Sequence, residues 1–318
     1  MIPCRVVEDY PSTLLEFEDR FRTEQACRAY LVQLRWPTGF QCRACGGGQS
    51  RQMRRRRALV CRSCRTHVSV TAGTMFQDSH LPLRVWFRAM WWVTNQKSGM
   101  SALGLQRALG LGSYRTAWIC LQKLRRAMVR PGRDRLTGEV EADEAFLGGP
   151  RPGKRGRGAA GKTLVVVVAQ VDGRRIGRIR LRRVPDASAR SLERAVQEAV
   201  VPGSVVRTDG LPSYSQLAAR GYVHEVVRKE AVVGDNLLPR VNRVVALFKR
   251  WLLGIHQGAV SRKHLDAYLD EFTFRFNRRL SRHRGKLFYR LVQQAVAIDP
   301  VPYRILRAHE RLKVASSA

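Results

Sequence analysis

Two Cys-x-x-Cys pairs, Cys42-Arg-Ala-Cys45 and Cys61-Arg-Ser-Cys64, set the first constraint on this chain. Each pair forms a short knuckle that turns two thiolates toward one point, and two knuckles together close a tetrahedral four-thiolate zinc site. With all four positions filled by sulfur, no catalytic water fits, so the Zn²⁺ expected here is structural. Between the knuckles, residues 46–57 are glycine-rich and then carry Arg54, Arg55, Arg56 and Arg57 in succession. A metal-stapled ribbon beside a run of guanidinium groups is a surface for polyanions. The run is expected to clamp phosphates rather than read bases.

Charge points the same way. The 318 residues hold 58 Lys+Arg against 25 Asp+Glu, a net +33 that implies a nucleic-acid partner. Only nine of the basic residues are Lys. Arg suits bidentate contacts to phosphate and guanine, although a GC-rich coding sequence enriches Arg as well. No stretch approaches the roughly 18 apolar residues of a membrane span, and the N-terminus lacks a basic-then-apolar signal. The expected setting is therefore cytoplasmic, with no membrane partner. Cys4, Cys27 and Cys120, outside the quartet, read as buried thiols of a reducing compartment.

The length suggests about two domains, each with its own core. Residues 12–36 read as helical, with Thr23 as an N-cap and a stripe through Phe21, Ala26, Tyr30, Leu31 and Leu34. The ribbon covers about 40–70. Residues 82–130 carry three helices: one opened by Pro82, one from Ser101 to Gly110, and one from Ser113. The last pair fits a helix-turn-helix or a plain linker bundle, and Arg115, Lys123, Arg125 and Arg126 give its final helix a basic face. Trp91 and Trp92 could stack bases, but a core position on a helix explains them better. After a boundary at 131–135 the pattern changes. Strands are expected at 139–147, 163–171, 174–183, 205–209 and 224–227, and helices at 188–200, 242–253 and 263–278. That succession is a mixed α/β domain. The working boundaries are 1–80 for the first helix and ribbon, 81–135 for the helical segment, 136–298 for the α/β domain and 299–318 for a basic tail.

In so basic a chain, acids at strand ends stand out. Asp143 and Asp209 are each read as closing a strand, and such carboxylates can meet at one sheet edge to hold Mg²⁺ or Mn²⁺. Paired ions there serve in-line phosphoryl displacement. On the helix at 242–253, Asn242 and Lys249 fall within about 20° of one another and ~10 Å apart. Asn242 offers a neutral oxygen ligand and Lys249 a cation for a scissile phosphate; a solvated helix face accounts for both equally well. Arg250, beside Lys249, adds to the basic surface.

Taken together these pieces resemble a bacterial insertion-sequence transposase, of the group with an N-terminal zinc ribbon and a DDE-type ribonuclease H-like domain. The resemblance rests on Arg35-Trp-Pro-Thr-Gly-Phe-Gln-Cys42 and Ser69-Val-Thr-Ala-Gly-Thr-Met-Phe76 around the ribbon. It continues in Glu141-Ala-Asp-Glu-Ala-Phe-Leu-Gly-Gly149, Thr208-Asp-Gly210, Phe248-Lys-Arg-Trp-Leu-Leu-Gly254 and residues 263–279. It implies a ribonuclease H-like mixed sheet with flanking helices, and Asp143, Asp209 and Asn242 as ligands of Mg²⁺ or Mn²⁺, with Lys249 beside them. It also implies binding of terminal repeats and target DNA, strand cleavage and transfer, a homo-oligomeric synaptic complex and a place at the nucleoid. Many relatives carry glutamate where this chain has Asn242. Either the site tolerates one charge fewer, or Glu230, Asp235 or Glu271 contributes, or the enzyme is dead. The alternatives are thus a catalytically decayed zinc-ribbon DNA-binding protein or another nuclease of the same fold.

Overall fold

The computed structural model describes residues 8–53, 58–130, 132–148, 162–227, 237–257 and 260–308. Cys4, the arginine run at 54–57, most of the Gly-rich stretch before Thr163, Glu230, Asp235 and the end of the basic tail lie outside the described residues. In chain order the elements begin with α1 (Leu14–Arg20), α2 (Glu24–Arg35), β1 (Ser50–Met53), β2 (Ala58–Cys61), β3 (His67–Val68), α3 (Leu83–Asn95), α4 (Ala102–Leu109) and α5 (Tyr114–Ala127). They continue with β4 (Glu139–Leu147), β5 (Thr163–Asp172), β6 (Arg175–Val184), α6 (Ala189–Ala199), β7 (Val205–Thr208), β8 (Val223–Val226), α7 (Pro239–His256), α8 (Leu265–Asn277), α9 (Arg284–Ala297) and α10 (Tyr303–Ala308). The chain divides into two compact units, Met1–Pro131 with Ser281–Ala318, and Gly132–Leu280.

In the first unit, hydroxyl side chains start the helices. Thr13, Thr23, Ser101 and Ser113 each accept a backbone N–H from the first turn of α1, α2, α4 and α5. α4 ends on Gly110 at φ +62°, a left-handed position that glycine adopts without penalty. α3 starts differently: Pro82 offers no cap, and the Glu24 carboxylate of α2 accepts from the amides of Leu83 at 2.8 Å and Arg84 at 3.2 Å. The core of this unit is aromatic. Phe288 of α9 is fully buried, with ring centroids 5.3 Å from Phe17, 5.6 Å from Phe21 and Phe87, and 5.8 Å from Trp91. Trp91 stacks on Phe17, as a core residue would. Cys27 and Cys120 are buried thiols, and burial pushes Cys27 up to about 12.

The second unit is a five-stranded mixed sheet in the order β6-β5-β4-β7-β8. β4, β5 and β6 form an antiparallel meander, while β7 and β8 run parallel to β4. This is the ribonuclease H-like arrangement. The continuous apolar run Leu164–Ala169 supplies both cores because alternate residues face opposite sides. Leu164, Val166 and Val168 pack with Leu192 and Val196 of α6, whereas Val165, Val167 and Ala169 pack with Val241, Val244 and Phe248 of α7 and Leu269 of α8. The outer edge of β6 is closed by side chains: Asn277 exchanges hydrogen bonds with the amide (2.7 Å) and carbonyl (3.2 Å) of Ile179, and Arg279 donates to the carbonyls of Gly177 and Ile176.

Two elements depart from expectation. α7 begins three residues before Asn242, since Pro239 fits the first helical position, where no N–H is needed. α9 has no counterpart in the sequence reading, and it packs within the first unit although it follows the sheet in the chain. Replacing Phe288 by Ala is expected to destabilise the first unit by about 3–5 kcal/mol, because the rings around it cannot close the void. A lowered urea midpoint for the transition of that unit measures it.

Candidate active site and zinc centre

The ribbon is a three-stranded antiparallel sheet, β1-β2-β3, that brings the two knuckles together. Cys42 Sγ lies 3.7 Å from Cys64 Sγ, Cys45 Sγ lies 3.6 Å from Cys61 Sγ, and all four sulfurs fall within 4.8 Å of one another. A tetrahedron with Zn–S bonds of about 2.3 Å has S···S edges of about 3.8 Å, so the quartet fits Zn²⁺. Electrostatics agree. The Thr66 hydroxyl and amide hold the Cys64 thiol down at about 6, and the Cys64 amide holds Cys61 low. The Gly47 amide favours the Cys45 thiolate too, but the neighbouring sulfurs of Cys64 and Cys61 outweigh it and push Cys45 to about 12. Four sulfurs this close carry four charges only around a cation. Gly47 is part of the cradle: a Cβ there would sit 2.8 Å from Ser63 Oγ and 3.2 Å from Cys61 Sγ. Arg35, at the end of α2, anchors the strand leaving the ribbon by donating to the carbonyls of Ser69, Val70 and Ala72.

In the sheet unit, Asp143 lies on β4 and Asp209 just past β7, the strand parallel to it. Glu139 pairs with Val205, Val140 with Val206 and Glu141 with Arg207. Pairing between the two strands stops there and β7 ends at Thr208, so Asp209 follows directly after the strand that neighbours β4. Val140 and Ala142 of β4 pack toward α6, so Asp143 by alternation faces the α7 side. Asp143 is not at a strand end, as the sequence suggested. β4 continues to Leu147 because β5 pairs with it throughout, Asp143 opposite Val167; what stops near Asp143 is the pairing with β7. Past Thr208 the chain turns. Asp209 Oδ1 accepts from the Leu211 amide at 2.9 Å, and Gly210 has φ +88°. A Cβ on Gly210 would come within 2.6 Å of Val226 Cγ1, so this turn requires glycine twice over. Tyr214 reports on the carboxylates: burial raises its phenol well above the ordinary value, and the charges of Glu144, Asp143 and Asp209 add to the rise. Its hydroxyl lies 3.4 Å from Glu144 Oε2.

Asn242 and Lys249 are exposed on α7, at the flank of the buried stripe formed by Val241, Val244 and Phe248. Glu271, weighed as a substitute ligand, is buried on α8 with its Oε1 2.9 Å from Arg275, so its charge is already engaged. Of the basic residues named from sequence, Arg115 and Arg250 are exposed, and Lys123 and Arg126 are half-buried. Arg115 also sits over the Tyr303 ring at 4.1 Å. Arg125 is only 1% exposed, turned inward with Cys120, Leu121 and Leu124, which removes it from any phosphate-binding surface. Sequence reasoning missed Glu141, Tyr214 and the pairing of Thr208 Oγ1 with His224 Nε2 at 2.9 Å, which braces the strand before Asp209. For Glu141 a signal existed: it precedes Asp143 by two residues, and so shares its face of the strand.

An ISXO2-like transposase domain matches residues 135–277, the span of the mixed sheet and of α6 to α8. A transposase zinc-ribbon domain matches residues 22–67, from α2 into β3. The chain thus carries the two domains of a zinc-ribbon insertion-sequence transposase. An uncharacterized protein in transposable element ISH50 of Halobacterium salinarum is 27% identical over 289 residues, which cover 84% of this transposase and 94% of the relative. Among the described residues of the transposase, no helix is long and apolar enough to cross a membrane. Serine in place of Cys61 should lower the zinc content of the purified transposase from about one ion per chain to near zero, since a structural site needs all four ligands. Metal analysis by mass spectrometry decides it, and full zinc occupancy would refute the assignment.

Proposed function

We propose that the transposase cuts phosphodiester bonds at the ends of its element and joins the freed 3′-hydroxyl to target DNA. The observation that supports this reading is the parallel register of β4 and β7, Glu141 opposite Arg207, which extended by two residues would bring the hard oxygen donors Asp143 and Asp209 level with one another. Carboxylates in such a pair suit Mg²⁺ or Mn²⁺, and Asn242 supplies a neutral third donor from α7. Bound divalent ions would activate the attacking oxygen and stabilise the leaving one. The residues of the chain do the rest. Asp143 and Asp209 would hold those ions beside the scissile phosphate, and Lys249 would meet its non-bridging oxygens. In the first displacement a water oxygen attacks phosphorus and the element's 3′-oxygen leaves. In the second, that 3′-hydroxyl attacks a target phosphodiester, and a target 3′-oxygen leaves. No covalent bond to the protein forms.

The ribbon and the α4–α5 pair are the docking elements for double-stranded terminal repeats. The exposed start of α5, Ser113 to Arg115, would be the base-reading end of the recognition helix. Arg115, Lys123, Arg126 and Arg250, with the run Arg54 to Arg57, supply phosphate contacts. Joining two ends requires a homo-oligomeric complex, formed at the nucleoid.

One feature favours a second reading, in which the protein binds DNA without cutting it: Asn242 brings one negative charge fewer than glutamate would. The two part in a Mg²⁺-dependent cleavage assay on labelled element ends. The native transposase should cut, Asp143→Asn and Asp209→Asn should fall to background while still binding the ends, and Asn242→Glu should reach half-maximal rate at lower Mn²⁺. Silence of the native protein with cutting by Asn242→Glu would establish the decayed reading.

A further inference from the structure

Glu141 lies on β4 two residues before Asp143, on the same face, and is 2% exposed. Its carboxylate reaches out of the sheet to the first turn of α7. Oε2 accepts from the backbone amides of Arg240 at 2.7 Å and Val241 at 3.0 Å, and Oε1 from Arg240 Nη1 at 2.9 Å. Arg240 Nη2 then donates to the carbonyl of Gly173, in the turn between β5 and β6, at 2.7 Å. The next residue of the helix is Asn242.

A carboxylate from another element also caps α3, where Glu24 of α2 takes the amides of Leu83 and Arg84, but most of the other helices are capped locally. α1, α2, α4, α5 and α6 start on their own Thr or Ser. α7 starts on Leu238, which makes no side-chain cap, and Pro239. A Ser or Asp just before the helix would satisfy the same amides without involving the sheet. Instead a buried carboxylate from a strand 99 and 100 residues away does so, and burying that charge costs more than a local cap. What the distant cap adds is rigidity between two points: the strand that carries Asp143 and the helix turn that carries Asn242.

We infer that Glu141 is a positioning residue that holds Asn242 in place relative to Asp143 and thereby sets the divalent-ion affinity of the site. The inference rests on the proposed reading of Asp143, Asp209 and Asn242 as ion ligands. Glu141 touches neither ion nor DNA; it acts by fixing where α7 begins.

The test is Mn²⁺ titration of the full-length transposase without DNA, read by the electron paramagnetic resonance of free Mn²⁺. Glu141→Gln keeps the shape of the side chain but turns an acceptor into a donor facing the amides. Circular dichroism at the titration temperature restricts the comparison to folded protein. The Mn²⁺ dissociation constant should rise about 10–100-fold, the range for loss of an outer partner of a metal ligand. A cap that served stability alone would lower the melting temperature and leave the affinity of folded protein unchanged, and that result overturns the inference. If Glu141→Gln does not fold, Glu141→Asp carries the test. It keeps the charge and shortens the reach, so weaker Mn²⁺ binding supports the inference and native affinity overturns it. Asp143→Asn run alongside separates the two levels of argument. If Asp143→Asn still binds Mn²⁺ at that site, the ligand reading itself has failed, whatever Glu141 does.

Discussion

β4 is the strand to which the rest of the sheet unit is attached. β5 pairs along one edge of it from Val140 to Leu147, β7 pairs along the other from Glu139 to Glu141, and the Glu141 carboxylate ties it to α7. The parallel pairing with β7 is the demanding part. Parallel strands need a crossover, here α6, and the crossover must deliver β7 in one register. Backbone bonds just outside the strands fix it: Leu136 donates to Ala199 and accepts from Val201, and Val205 donates to Gly138. A slip of one residue would reverse the faces of β7 and move Asp209 relative to Asp143. The geometry of the site is therefore a consequence of bonds several residues away from it.

The same economy appears in the first unit. Glu24 caps α3 from α2 much as Glu141 caps α7 from β4, and Arg35 ties three carbonyls beyond the ribbon to the end of α2. In the first two cases the charged side chain adds to apolar contact between the same elements, Tyr30 with Phe87, and Ala145 and Leu147 with the Val241–Phe248 stripe of α7. Hydrogen bonds to ionised groups are roughly twice as strong as neutral ones, which suits them to such joints.

Much of this was legible in the sequence because the signals were local. Cys-x-x-Cys spacing gives the knuckles, Ser and Thr give the helix starts, and the apolar run at 164–169 gives the central strand. Non-local facts were not legible. Asp143 was read as closing a strand even though the strand pattern runs on to 147; what ends near it is the pairing with β7, and sequence does not show which edge of a strand loses its neighbour. Arg125 was counted as surface charge because composition does not reveal which side of α5 packs inward. Glu141 sits in the same motif as Asp143, yet its partner is α7, and no spacing rule connects a strand to the amides of a helix so far along the chain. That Asp143 and Asp209 could meet at one sheet edge was an expectation from sequence; the parallel register of β4 and β7 that supports it was not legible there.

The position of α9 has a consequence for how the protein is made. Phe17, Phe21, Phe87 and Trp91 leave the ribosome early, but the ring that completes their cluster, Phe288, arrives only after every strand of the sheet unit has been synthesised. The piece that carries the ribbon therefore cannot finish folding ahead of the piece that carries Asp143 and Asp209. A chain cut short by a nonsense codon or a stalled ribosome would expose an unfinished aromatic core to proteases, and would not persist as a stable DNA-binding fragment competing with the intact protein.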